Sequence, residues 1–219
     1  MQGRGLLSEE LNQLRRELEL MAVRVEGDLE KALAVLRTGS KEIAGEVKDS
    51  GKTVNALQLR IEDMALVLIA TQQPVARDLR ELITVFKITS SLERIGDYGV
   101  HLAKAAIKLS NRPSFRSMER IECMAETGQK MLKAAVCAYL AQNADAARTA
   151  ALMDHKIDGE HKALTEEVLS LMKKRPQLVK AAARLLRLSG YMERLGDHIT
   201  NICEGIVFMI EGSHEDLND

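Results

Sequence analysis

Leu92-Glu93-Arg94-Ile95-Gly96-Asp97 and Met192-Glu193-Arg194-Leu195-Gly196-Asp197 are one motif written twice, 100 residues apart. Each copy lies in a long run whose apolar residues recur every three or four positions, the period of a helix with one buried face. A second pair of segments, Val54-Asn55-Ala56-Leu57 and Ile157-Asp158-Gly159-Glu160, corresponds at an offset of 103. The chain therefore reads as an internal duplication, and the repeat is the unit that folds.

Working outward from the motif, the same periodicity predicts three helices in each half. In the first half they run over about 8–38, 40–73 and 75–109, and in the second over about 116–142, 145–174 and 176–211. Thr38-Gly39-Ser40 is a break, with Ser40 placed to cap the next helix. Gly51 and the Asp49-Ser50 step are candidate bends, and Pro74 suits a first helical turn. Ser110 to Ser114 reads as a loop, Pro176 as another break, and the polar tail from Gly212 as frayed. The fold class expected is all-α: two tandem three-helix bundles related by internal duplication, spanning 1–112 and 113–219.

Composition agrees. Of 219 residues, 46% are hydrophobic and 29% charged, enough for a buried core and a solvated surface. Only 3% are aromatic and there is no Trp, which disfavours a β-rich domain. A net charge of −1 gives no general attraction to nucleic acid or to anionic membrane. No apolar run is long enough to span a bilayer, and the N-terminus lacks a signal-peptide core, so the expected location is cytoplasmic. Cys123, Cys137 and Cys203 show no CxxC spacing and read as buried small hydrophobes.

The chemistry lies in carboxylates. Glu93 and Asp97 stand four apart on one helix face, separated by about 6 Å of rise, and Glu193 and Asp197 repeat them. Asn201 and Glu204 continue that face with further oxygen donors. The last two helices turn near Arg175; Asp158 lies 17 residues before the turn and Glu193 18 after it, Asp154 21 before and Asp197 22 after. An antiparallel pair thus brings Asp154, Asp158, Glu193 and Asp197 to one level. A bound cation is the simplest relief for four converging carboxylates, and facing helices are a known way to hold one. Around Pro74 the same count sets Glu93 and Asp97 against Asn55 and Gly51, with Lys48 and Lys52 near enough to compensate. The two sites should be unequal, the second stronger. A single acidic pair at this spacing is common on a solvated face; the repetition favours the cation site. His161 shares a face with Asp154 and Asp158, as an auxiliary ligand or a surface histidine. The runner-up readings are a ferritin-like di-iron redox protein and a metal-free helical scaffold. The former needs Glu-x-x-His motifs inside the bundle, and that spacing occurs only at Glu211 to His214.

The duplicated ERxGD motif, the segment Gln73-Pro74-Val75-Ala76-Arg77-Asp78-Leu79-Arg80, Lys87, and Asp197-His198-Ile199-Thr200-Asn201-Ile202 together resemble the PhoU family, over nearly the whole chain. The resemblance implies two packed three-helix bundles with iron, zinc or nickel ions at the motifs; the oxygen donors also suit manganese or magnesium. It implies a non-enzymatic negative regulator of phosphate uptake. Its expected partners are a phosphate-sensing histidine kinase, the phosphate ABC transporter ATPase and a second copy of the chain, with no nucleic acid and no membrane insertion. Glu93, Asp97, Asp154, Asp158, Glu193 and Asp197 match the family's metal motifs, whereas Gly51 and Asn55 depart from the acidic residues usual there. Asp78 lies about 22 Å along the helix from Glu93 and, with Arg77 and Arg80, is a candidate partner-docking patch or a helix-end charge.

Overall fold

The computed structural model describes residues 2–109 and 116–218. Among them there are helices and no strands. α1 spans Gln2–Thr38, α2 Lys41–Gln72 and α3 Arg77–Leu109 in the first half. α4 spans Arg116–Leu140, α5 Ala144–Ala151, α6 Asp154–Lys174 and α7 Val179–Glu211 in the second. The boundary expected between residues 112 and 113, and the loop from Ser110 to Ser114, lie outside the described residues.

Local chemistry explains most of the ends. Gly39 adopts a left-handed φ of 68° after α1, and the Ser40 hydroxyl accepts a hydrogen bond from the Ile43 N–H at the start of α2. Gly51 does not end α2, which runs through it. Pro74 is not in the first turn of α3. It stands in a connector flanked by two left-handed residues, Gln73 and Ala76, and α3 begins at Arg77.

One expectation fails outright. The helix read as continuous over 145–174 is broken at Leu152 and Met153 into α5 and α6. Both residues keep near-helical angles, but the bonds tighten to three-residue steps, Met153 N–H to Ala150 C=O and Lys156 N–H to Met153 C=O. Neither residue is Gly or Pro, and the run before them is alanine-rich, so no local stop signal exists. The break makes Asp154 the first residue of α6, where a carboxylate suits the helix dipole.

Each half is a bundle: α1, α2 and α3 pack on one another, as do α4, α6 and α7, with α5 against α4 and α7. α3 and α7 form the most extensive pair in the molecule and α1 also meets α4, so one apolar core runs through both halves. α3 and α7 are antiparallel. Arg80 at one end of α3 donates to the Met209 carbonyl near the end of α7, and Tyr98 further along meets Tyr191 and His198. At Gly205 the backbones come close enough for the buried Thr84 hydroxyl to donate to the Gly205 carbonyl at 3.3 Å.

A buried ion pair ties α1 to α3. Arg15 donates from Nε and Nη2 to both oxygens of Glu81, at 2.6 and 2.7 Å, and the Glu81 side chain is only 3% exposed. Burial, with the Glu81 charge beside it, pushes the Tyr139 phenol of α4 far above its ordinary value, so it stays protonated. Arg37 of α1 bonds Glu122 and Glu126 of α4 nearer the surface. Arg15→Ala would strand the Glu81 carboxylate inside the protein and should cost about 3 kcal/mol in urea unfolding. Arg15→Met with Glu81→Leu, which removes both charges, should recover most of that loss.

Candidate metal centre

Asp158, Asp197 and Glu193 stand near enough to Asp154 for their charges to act on it. Asp154 is 5% exposed although it carries a carboxyl group. Its Oδ2 accepts a 3.4 Å hydrogen bond from the buried Thr200 hydroxyl, and its Oδ1 is buried with no partner. Burial pushes its pKa from an ordinary 3.8 up to about 7, and the charges of Asp158, Asp197 and Glu193 add to the rise. Glu193 is raised in turn by burial, Asp197 and Asp158, and nearby His161 relieves it in part. The His161 Nδ1 lies 2.8 Å from the buried Ser189 hydroxyl, which sets the ring.

Gly196 is what admits Asp154. A Cβ at this position would collide with Asp154 Oδ1 and would stand 3.2 Å from Ile157 Cδ1. At its counterpart Gly96 a Cβ would meet only the methyls of Val54 and Val25, at an ordinary 3.6 Å or more. The duplicated glycine therefore serves two purposes: it makes room for a carboxylate in the second half and simply packs in the first.

As they stand, no group of three or more His, Cys, Asp or Glu among the described residues is arranged to hold an ion. The donor set, the orphaned Asp154 oxygen and the space at Gly196 fit a hard cation that would draw the acids together.

The first half differs. Burial and the Asp97 charge raise Glu93, with Arg94 at 3.6 Å in partial relief. Asn55 is exposed, and Gly51 packs near Val100. Lys52 pairs with Asp49 on its own helix at 3.4 Å. Besides Glu81, a second buried acid of this half comes from α1: Asp28, 4% exposed and raised by burial, with Ser50 of α2 beside it. Asp28 was overlooked in the sequence, although its signal was there. It interrupts the stripe Met21, Val25, Ala32, Val35, all of which are fully buried.

Residues 18–106 and 121–206 match the PhoU domain, one segment in each half. The chain belongs to the PhoU family. It is 31% identical over 99% of both chains to the phosphate-specific transport system accessory protein PhoU homolog of Clostridium acetobutylicum. To the homolog of that name in Streptococcus pneumoniae it is 33% identical over 86% of this chain and 87% of that one. Two solved structures share the fold. The crystal structure of PhoU from Pseudomonas aeruginosa has a TM-score of 0.89 at 28% identity, covering 94% of this chain and 99% of that one. That of the phosphate transport system regulatory protein PhoU from Streptococcus pneumoniae has a TM-score of 0.88 at 30% identity, covering 96% and 99%.

The remaining site candidates of this PhoU-family chain lie elsewhere. Asn201 and Glu204 line a cavity of about 720 Å³ between α3, α7 and the C-terminal tail. The tail is not frayed. Leu217 N–H donates to Glu204 Oε1 and the Asn218 amide to Asp197 Oδ1; Arg148 bonds Glu211 and Glu215, and His214 stacks on Phe208. Glu211 and His214 are thus engaged in the tail's own contacts, outside the bundle interior. Arg77 donates to Gln142 and Arg80 to the Met209 carbonyl, so both are spent on joining the halves, and Asp78 lies beside Arg15. Of the cysteines, Cys203 is buried and pushed up to about 12 chiefly by burial, Cys123 is half-buried, and Cys137, against expectation, is exposed.

Asp154 has a pH consequence. With the folded-state value above the ordinary one, folding favours the neutral carboxyl. The cost is absent below about pH 4, grows as the pH rises, and is complete above about pH 7. Thermal melts of chelator-treated protein should fall over that window, and Asp154→Asn should flatten them. Gly196→Ala should displace the carboxylate and flatten the same profile, whereas Gly96→Ala should leave it and stabilise by up to about 1 kcal/mol.

Proposed function

We propose that this chain is a metal-stabilised regulatory adaptor that restrains phosphate uptake and phosphate-starvation signalling, and that it works by binding other proteins. The observation that supports the role is likeness over nearly the full length to proteins named as accessory proteins of phosphate-specific transport. The partners that follow are the phosphate ABC transporter ATPase and the phosphate-sensing histidine kinase, met in the cytoplasm by a homodimer. No described helix is long and apolar enough to cross a membrane.

The metal belongs between α6 and α7. Asp154, Asp158, Glu193 and Asp197 would hold it, with His161 at the edge. Iron or zinc fits the reading, and nickel, manganese or magnesium would meet the same oxygen donors. A bound cation would neutralise the acids and lock α6 onto α7, with no chemistry required of it. Glu93 and Asp97 form the weaker site.

Elemental analysis of protein purified without chelator tests the metal. Asp154→Ala should lose most of the bound ion and Asn55→Ala should keep it. Equal losses would remove the asymmetry. Pull-downs against the kinase and the transporter ATPase, with and without chelator, test the adaptor role, and binding to neither would overturn it. Oxygen uptake by ferrous-loaded protein would point to redox chemistry instead.

A further inference from the structure

The groove between α3 and α7 has two ends, and the duplication makes them equivalents. The 100-residue offset carries Lys87 to Arg187, Ser91 to Tyr191, His101 to Asn201 and Lys104 to Glu204. The members of each pair line different cavities, one at each end of the groove. At the first, the chain's own tail closes over the groove, with His214, Glu215 and Asp216 in its wall. At the second, a pocket of about 150 Å³ is formed by His101, Lys104, Lys108, Arg184, Arg187 and Tyr191, and no acid lines it.

Four cations face one another there in a chain whose net charge is −1. Among the described residues none of the four makes an ion pair, although 32 acidic side chains are available to the chain. Arg15, Arg37 and Arg120, by contrast, each hold two carboxylate oxygens, and Arg148 holds oxygens of Glu211, Glu215 and Asp145. The floor is also fixed. His101 stacks on Tyr191 at 4.8 Å, and Tyr191 on Tyr98 at 5.9 Å, so the cations surround a rigid aromatic ledge.

We propose that this pocket is a binding site for a phosphate-bearing anion, a function beyond the adaptor reading and independent of the metal centre. Two guanidinium forks on α7 match the oxygens of a phosphoryl group, and two lysines on α3 complete the charge. A multiply charged, compact anion meets both the pocket's size and its four cations. It is either a free small phosphate or the headgroup of an anionic lipid.

Titration calorimetry of the full chain with inorganic phosphate and with pyrophosphate tests the first source. Flotation with phosphatidylcholine vesicles, plain or containing phosphatidylglycerol, tests the second. Arg184→Gln with Arg187→Gln removes both forks without touching the core. Lys41→Gln with Lys130→Gln removes two exposed cations elsewhere, and circular dichroism checks that both variants fold. The wild type should bind pyrophosphate more weakly as salt is added, and the arginine variant should weaken it by at least about tenfold while the lysine variant leaves it unchanged. The same pattern on phosphatidylglycerol vesicles alone would assign the anion to a headgroup. No binding to any probe, or an arginine variant no weaker than the lysine one, would overturn the proposal.

Discussion

The antiparallel packing of α3 on α7 decides where everything else lies. These helices carry the two copies of the ERxGD motif, and they pair along their length more extensively than any other two. Pairing them turns two bundles into one body with a common core. The second acidic motif acts on Asp154 and Asp158 of α6. The pairing also creates the groove whose two ends hold the tail-covered cavity and the basic pocket. Thr84 and Gly205 show how tight the seam is: the hydroxyl reaches the carbonyl, and a Cβ on Gly205 would stand 3.2 Å from the Thr84 methyl.

The duplication supplies equivalent places, and substitution has made them unequal. Gly51 stands where Asp154 stands, so the first half lacks a buried acid on its second helix. Asp28 brings one from α1 instead. The groove ends diverge in the same way, Lys104 against Glu204 and Ser91 against Tyr191. Each change alters charge or shape at a place the backbone still presents twice. Two similar scaffolds thereby offer different chemistry.

Asp154 concentrates the cost of this arrangement. A buried carboxylate with one oxygen unpartnered and three acids nearby destabilises the protein as it ionises. The chain accommodates it three ways: a hydroxyl from Thr200, the first-turn position of α6, and a glycine at 196. Apolar packing alone would dispense with all three. A place kept for a charge at this cost is consistent with a counter-charge that fills it.

The helical duplication and the level of Asp154 and Asp158 against Glu193 and Asp197 were legible in the sequence, because both follow from constant rise per residue and equal distances from a turn. The asymmetry between halves was legible for the same reason, in Gly51 and Asn55. The break at Leu152 and Met153 was not, since both are good helix formers with no local stop signal, in a short segment that packs on α4 and α7. Nor were the roles of Arg77, Arg80 and the tail, which form bonds across more than sixty residues or between helix ends. Asp28 fell between the two: its place in an apolar stripe could be read, but only burial against α2 gave it meaning. Sequence determined what repeats along a helix; tertiary structure decided which charges meet across the seam, because no periodicity within one helix encodes its neighbour.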